Sequence, residues 1–186
     1  MSRILFLASH PLEVEAIEKL IQGIGEGLSF SNEKEGSFFL NERGVSSLLK
    51  RISGDPASYS EISFLQYEKE DGFAEKLLHR ALDFFPGALI FPSDVILKEM
   101  SFGDYSSLPF LSALFRDLPE DLLLSAKKYL ECGLDGLLAA DALYIHRNTF
   151  HYRLDQFRKR TSLDLHEYHN ALLFEIYWHL IRKDFS

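Results

Sequence analysis

The stretch IHRNTFHYRLDQFRKR, residues 145–160, differs in charge from the rest of the chain. It holds five Lys and Arg and two His against one acid, whereas the 186 residues together hold 20 Lys and Arg against 28 Asp and Glu. On a helical wheel of about 100° per residue, Phe150, Leu154 and Phe157 fall on one side. These residues predict an amphipathic helix that buries an apolar stripe and exposes a basic face.

A shorter helix is predicted immediately before it. Residues 134–144, LDGLLAADALY, contain the small Ala139 and Ala140 where a crossing helix would lie close. Two short helices joined by about three residues, the second one basic, form the pattern of a helix-turn-helix. We therefore expect this motif over residues 137–161, with Leu143 to His146 at the turn. A solvated basic helix in an ordinary helical domain is the alternative that charge alone leaves open.

The longer stretch AADALYIHRNTFHYRLDQFRKRTSLDL, residues 139–165, resembles the C-terminal helix-turn-helix of the PucR/CdaR family of bacterial transcriptional regulators. That family's pattern runs approximately A-x-x-L-x-[IV]-H-R-N-T-[LV]-x-Y-R-[LI]-x-x-[IL] and continues into a Leu-Asp-Leu segment. The matching positions are Ala140, Leu143, Ile145, His146, Arg147, Asn148, Thr149, Tyr152, Arg153, Leu154, Leu163, Asp164 and Leu165. Phe157 stands where the family usually has an aliphatic residue, and an aromatic ring still suits a buried position.

The resemblance implies a protein that binds double-stranded DNA, and the side chains fit that role. Arg147 has the donors for a guanine edge, and Asn148 those for an adenine edge or a phosphate. Several neighbours have the reach for phosphate oxygens, and the basic C-terminal end adds attraction that salt weakens. The expected DNA-binding residues are His146, Arg147, Asn148, Thr149, His151, Tyr152, Arg153, Arg158, Lys159 and Arg160.

The first half of the chain predicts a different kind of structure. Apolar runs typical of strands alternate there with amphipathic runs typical of helices, in the order β-α-β-β-α-β-α. HPLEVEAIEKLIQGIGEG is expected to be a helix that starts near Pro11 and ends at glycines, and ALIFPSDVIL an additional strand. The fold class is thus α+β, with a small N-terminal α/β domain of ferredoxin-like or reduced GGDEF-like type followed by an all-α domain.

The expected domains are 1–100, a small α/β regulatory domain for sensing or dimerisation; 101–117, a connector; and 118–186, the helical DNA-binding domain. Family members usually carry a sensory and a GGDEF-like domain in a longer chain. No GGDEF string is present, so cyclase activity is not implied. Residues 1–136 carry a net charge of −9 and residues 137–186 a net of +1, which suggests two parts with different partners.

Other features limit the remaining choices. The chain has no apolar run of about 18 residues and no export signal, so we expect a cytoplasmic protein without a membrane partner. Neither a catalytic constellation nor a cofactor motif can be assembled, so we expect neither an enzyme nor a cofactor. His166 and His169 would need further ligands to hold a metal. A small-molecule effector of unknown identity stays possible, and so does a ligand- or protein-binding module that has lost DNA binding.

A homodimer is expected, because one short recognition helix contacts few base pairs. The last predicted helix has more apolar surface than one buried stripe requires. The residues concerned are Phe174, Ile176, Tyr177, Trp178, Leu180 and Ile181.

Overall fold

The computed structural model describes residues 1–41, 43–69 and 71–182. The chain divides into two compact units, Met1–Ser107 and Leu108–Ser186, of which residues 183–186 lie outside the described part. The first unit is built around a β-sheet and the second is helical, which confirms the predicted α+β class. No described helix is long and apolar enough to cross a membrane.

The described residues of the first unit form one mixed sheet of five strands in the order β2-β3-β1-β4-β5. The strands are β1 Ser2–Ala8, β2 Gly25–Phe30, β3 Glu35–Leu40, β4 Ile62–Gln66 and β5 Leu89–Ile90. β1 pairs antiparallel with β3 and with β4, β2 pairs antiparallel with β3, and β5 runs parallel to β4. The order β2-β3-β1-β4 is that of the split βαβ arrangement in the ferredoxin-like fold.

Helices cover both faces of this sheet. The helices of the first unit are α1 Val14–Ile21, α2 Gly44–Gly54, α3 Pro56–Tyr59, α4 Gly72–Phe84 and α5 Pro92–Ser101. Ile4 and Phe6 of β1 belong to one core with Ile17 of α1 and Leu48 of α2. Alternate strand residues point to opposite faces, so Leu5 lies on the other face, where α4 packs against β1 and β4.

Two predicted elements differ from the observed ones. Helix α1 begins at Val14 rather than near Pro11, and it ends at Ile21, before the glycines; Gly25 lies in β2. The segment ALIFPSDVIL is a strand only at Leu89–Ile90, because Pro92 takes the first position of α5. A proline has no N–H for a sheet but is well suited to a helix start.

The second unit consists of helices around an aromatic core. They are α6 Leu108–Phe115, α7 Glu120–Glu131, α8 Gly136–Ala142, α9 Arg147–Thr161 and α10 Tyr168–Leu180. Helix α6 falls within the segment expected to be a connector, and it packs against α10. The rings of Phe115, Phe157 and Phe174 lie with centroids 5.3 to 6.2 Å apart and are almost fully buried.

Candidate nucleic-acid interface

Helices α8 and α9 form the predicted helix-turn-helix. Ala139 and Ala140 are buried where the two helices pack together, as expected from their small size. The carboxylate of Asp135 caps α8 by accepting the backbone N–H groups of Leu137 and Leu138 at 2.9 and 3.1 Å. Four residues, 143–146, separate the two helices, so the chain does not run through this region as one helix.

The turn between the helices is closed by two backbone hydrogen bonds. The Ile145 N–H donates to the Ala140 carbonyl at 3.1 Å, and the Tyr144 N–H donates to the Asp141 carbonyl at 3.0 Å. This pair of bonds is a Schellman motif, in which the residue after the C-cap takes a left-handed conformation. That residue is Tyr144, with φ of 54° and a side chain that is 96% exposed.

Helix α9 is anchored along one face. Phe150 and Phe157 are buried as predicted, and the ring of Phe150 lies 5.9 Å from that of Tyr129 on α7. Leu154, predicted for the same stripe, is only half-buried. It lines a cavity of about 230 Å³ beside the loop that follows α9.

The first turn of α9 faces solvent. Arg147, Asn148 and Thr149 are all exposed. His146 precedes them as the N-cap, and its Nδ1 accepts the backbone N–H of Asn148 at 3.2 Å. An accepting Nδ1 carries no proton, so the neutral ring has its N–H at Nε2. The helix start thus presents a dense set of hydrogen-bond donors.

Further along α9, the other predicted residues differ in their surroundings. His151 and Tyr152 are exposed, and so is Arg160. Lys159 is exposed and pairs with Asp155 one turn earlier at 2.6 Å, whereas Arg158 pairs with Asp164 at 3.2 Å. Ion pairs at such exposed positions contribute little to stability and exchange readily with other partners.

Arg153 is the exception among the predicted residues. Its side chain is only 23% exposed, and its Nε lies 3.0 Å from Oδ2 of Asp121 in the first turn of α7. The structure thus places nine of the ten predicted residues on the solvent side of α9 or of its N-cap, and Arg153 on the side toward α7.

A chain of polar groups lies at the C-terminal end of α9. The hydroxyl of Tyr129 lies 2.8 Å from Nε2 of His166, whose Nδ1 lies 2.8 Å from Asp164. The neutral tautomer with the proton on Nδ1 satisfies both contacts. Burial opposes ionisation of Asp164, but hydrogen bonds from His166 and the charge of Arg158 outweigh it and keep the pKa of Asp164 below its ordinary value.

The sequence did not reveal that Asp121 pairs with Arg153. Asp121 lies 32 residues before Arg153, and no local pattern links the two. The hydroxyl of Tyr129 likewise reaches His166 across 37 residues of sequence. Among the described residues, no three His, Cys, Asp or Glu side chains come together as a metal site.

Comparison with known proteins addresses the helical unit. Residues 122–180, about a third of the chain, match the family model of the PucR C-terminal helix-turn-helix domain. Among solved structures, the chain is similar to the regulator of polyketide synthase expression from Bifidobacterium adolescentis, at 17% identity and a TM-score of 0.46, over 93% of this chain and 76% of that one. No curated protein matches it. Residues 122–180 are therefore similar to the C-terminal helix-turn-helix domain of PucR, as the resemblance in the sequence predicted.

Proposed function

We propose that this protein is a transcriptional regulator that binds double-stranded DNA through α9. The observation that carries the proposal is the exposed first turn of α9, where Arg147, Asn148 and Thr149 follow a four-residue turn. The opposite face of the same helix is held by Phe150 and Phe157. In helix-turn-helix proteins, the N-terminal residues of the second helix contact base edges in the major groove.

The exposed basic and hydrogen-bonding residues of α9 have separate roles in this proposal. Arg147 donates to a guanine edge, and Asn148 reads adenine or contacts a phosphate. Thr149, His151 and Tyr152 donate to phosphate oxygens and set the orientation on the duplex. The exposed basic group at the end of α9 supplies attraction that does not depend on sequence; it consists of Arg158, Lys159 and Arg160.

The distribution of charge is compatible with DNA binding despite the acidic chain. The first unit carries ten Lys and Arg against seventeen Asp and Glu, a net of −7, and the second carries ten against eleven, a net of −1. Since charges are screened over about 8 Å at physiological salt, the local surface of α9 decides the interaction more than the net charge does.

We assign sensing or dimerisation to the first unit. A cavity of about 270 Å³ lies on the sheet face that α4 covers, and Leu5, Glu35, Asp71 and Glu75 contribute to its lining. It is close to the lower size limit of ligand pockets, so it offers a place for a small effector. The acidic lining favours an effector that is a hydrogen-bond donor or carries positive charge.

A module that binds another protein instead of DNA is the second candidate. Helix α8 supports it, because Leu137 and Leu138 are 58% and 57% exposed there and the helix contains no Lys or Arg. The first helix of a DNA-bound helix-turn-helix crosses the phosphate backbone, where cations would be expected.

A gel shift at two salt concentrations separates the two candidates. We expect the protein to retard a duplex at about 50 mM salt and to lose most of that affinity at about 200 mM, because counterions are released on binding. Lys19→Ala controls for the general effect of the protein's charge on retardation, because it removes an exposed cation outside the helical unit. No retardation at the lower salt would exclude DNA binding and favour the second candidate.

A further inference from the structure

Two acids in the first turn of α7 pair with arginines from distant parts of the helical unit. Asp121 pairs with Arg153 of α9 at 3.0 Å. Its neighbour Glu120 pairs with Arg182, which follows α10 and has only 6% of its side chain exposed. Acids in the first turn of a helix also interact favourably with the helix dipole.

Arg153 lies on the side of α9 that faces α7. Relative to Phe150 it falls near 300° on the helical wheel, next to Phe157 near 340°, and far from Lys159 near 180° at about 100° per residue. Its exposed fraction of 23% compares with 66% for Arg158 and 64% for Lys159. The guanidinium is therefore directed along the boundary with α7 and away from the outward face of α9.

The aromatic contact between α7 and α9 constrains the orientation of α9 only loosely. Tyr129 meets Phe150 with ring centroids 5.9 Å apart, and aromatic pairs tolerate a range of offsets and tilts. An ion pair with its nitrogen and oxygen 3.0 Å apart gains energy only while the two charged groups stay close together. The pair between Asp121 and Arg153 adds a fixed point about one turn beyond the contact made by Phe150.

We propose that Arg153 is a positioning residue. Its ion pair with Asp121 keeps α9 in the orientation in which the first turn of α9 reaches the base edges. The inference rests on the proposed function, and it replaces the expectation that Arg153 binds a phosphate. Arg147 then reads the DNA, whereas Arg153 orients the helix that carries it.

A double-variant cycle on thermal stability tests the ion pair between Asp121 and Arg153 without DNA. Arg153→Ala and Asp121→Ala should each lower the Tm by a few degrees, and the double variant should lie close to either single variant, because both remove the same interaction. Exchanging the charges, with Asp121→Arg and Arg153→Asp together, should recover part of the lost Tm. Additive losses of Tm in the double variant, with no recovery of Tm on charge exchange, would show that the two side chains do not interact.

The role in positioning is tested by the salt dependence of binding to a fluorescent mixed-sequence duplex. Lys159→Ala should reduce the slope of log affinity against log salt by about 0.9, the effect of one lost phosphate contact. Arg153→Ala and Asp121→Asn should keep the wild-type slope and both bind more weakly. A reduced slope for Arg153→Ala, with wild-type behaviour of Asp121→Asn, would make Arg153 a phosphate contact after all.

The two measurements keep this inference separate from the proposed function. If the wild-type protein binds no duplex at low salt, the proposed function fails, and the positioning role fails with it. The thermal cycle then still decides whether the ion pair between Asp121 and Arg153 stabilises the domain. Should Arg153→Ala fail to fold, Arg153→Lys keeps the positive charge but replaces the rigid guanidinium by a flexible ammonium group, and it should show the same slope and a smaller loss of Tm.

Discussion

Arg147 and Lys159 are both exposed cations of α9, but they lie at opposite ends of the helix. We expect Arg147→Ala to weaken binding to a preferred sequence by about 1–3 kcal/mol and to relax the preference at one base position, because a bidentate contact to a base is lost. Lys159→Ala should weaken all sequences alike. Competition binding with specific and random duplexes measures both effects. Equal losses on both duplexes for both variants would refute the division of roles.

Asp164 is the residue whose ionisation supports the C-terminal end of α9. Its folded pKa lies below the ordinary value, so its contribution to stability is complete above about pH 4 and is lost as the pH falls through the folded pKa. We therefore expect Asp164→Asn to lower the Tm at about pH 6, with a difference from wild type that shrinks toward about pH 3.

Thermal unfolding followed by circular dichroism across this pH range provides the measurement for Asp164. Asp155→Asn is the matched control, because Asp155 is more exposed, with 52% of its side chain accessible against 29% for Asp164. A Tm difference for Asp164→Asn that stays constant from about pH 6 to about pH 3 would show that another property of the side chain matters.

At the scale of elements, the turn between α8 and α9 contains a residue in a costly conformation. Tyr144 has a φ of 54°, a left-handed value that costs a residue with a Cβ atom about 1 kcal/mol relative to glycine. Its side chain is 96% exposed and thus contributes little packing. We predict that Tyr144→Gly leaves the fold intact and raises the Tm by a few degrees.

Ala142→Gly is the control for that prediction. Ala142 ends α8 one residue before the C-cap, is exposed and has a helical conformation, so glycine there should destabilise the domain by about 0.5–1 kcal/mol. Thermal unfolding of the two variants side by side compares the same substituted residue type in the two conformations. A lower Tm for Tyr144→Gly would show that the ring of Tyr144 contributes more than its backbone costs.

The elements of the helical unit were largely predictable from sequence because their signals are local. Periodic apolar residues, the small Ala139 and Ala140 and the HRNT motif predicted α8, the turn and α9 within one or two residues. The order of strands and helices in the first unit was predictable for the same reason. Leu154 was less predictable, since its exposure depends on the loop at Leu163–Leu165, which leaves a cavity beside it.

Tertiary pairs were outside the reach of sequence reasoning. The wheel located Arg153 on a flank of α9, but only the packing of α7 brings Asp121 to it. The apolar surface of α10 is divided between the core of its own unit and the solvent. Phe174, Ile176 and Tyr177 are all buried within their own unit, whereas Leu180 is 51% exposed. Trp178 and Ile181 are half-buried. Three of the six apolar residues named for a dimer surface thus belong to the domain core, and the dimer stays a prediction.

At the level of the whole molecule, the dimer is a prediction that rests on recognition geometry and on the apolar residues of α10 that are not fully buried. One helix of the size of α9 contacts few base pairs, and helix-turn-helix proteins commonly pair to read two half-sites. We expect light scattering at micromolar concentration to give a mass of twice 21.4 kDa. A mass of 21.4 kDa both with and without a DNA duplex would contradict the dimer.

Selection from a pool of randomised duplexes tests whether α9 recognises a sequence in double-stranded DNA. The protein is incubated with the pool at about 50 mM salt, and the retained duplexes are sequenced after several rounds. We expect an enriched motif of two inverted half-sites with centres about 10–10.5 base pairs apart, or a multiple of that spacing, and the loss of one preferred base position with Arg147→Ala. A pool that shows no enriched motif, from a protein that is folded and at a concentration sufficient for non-specific binding, would contradict it.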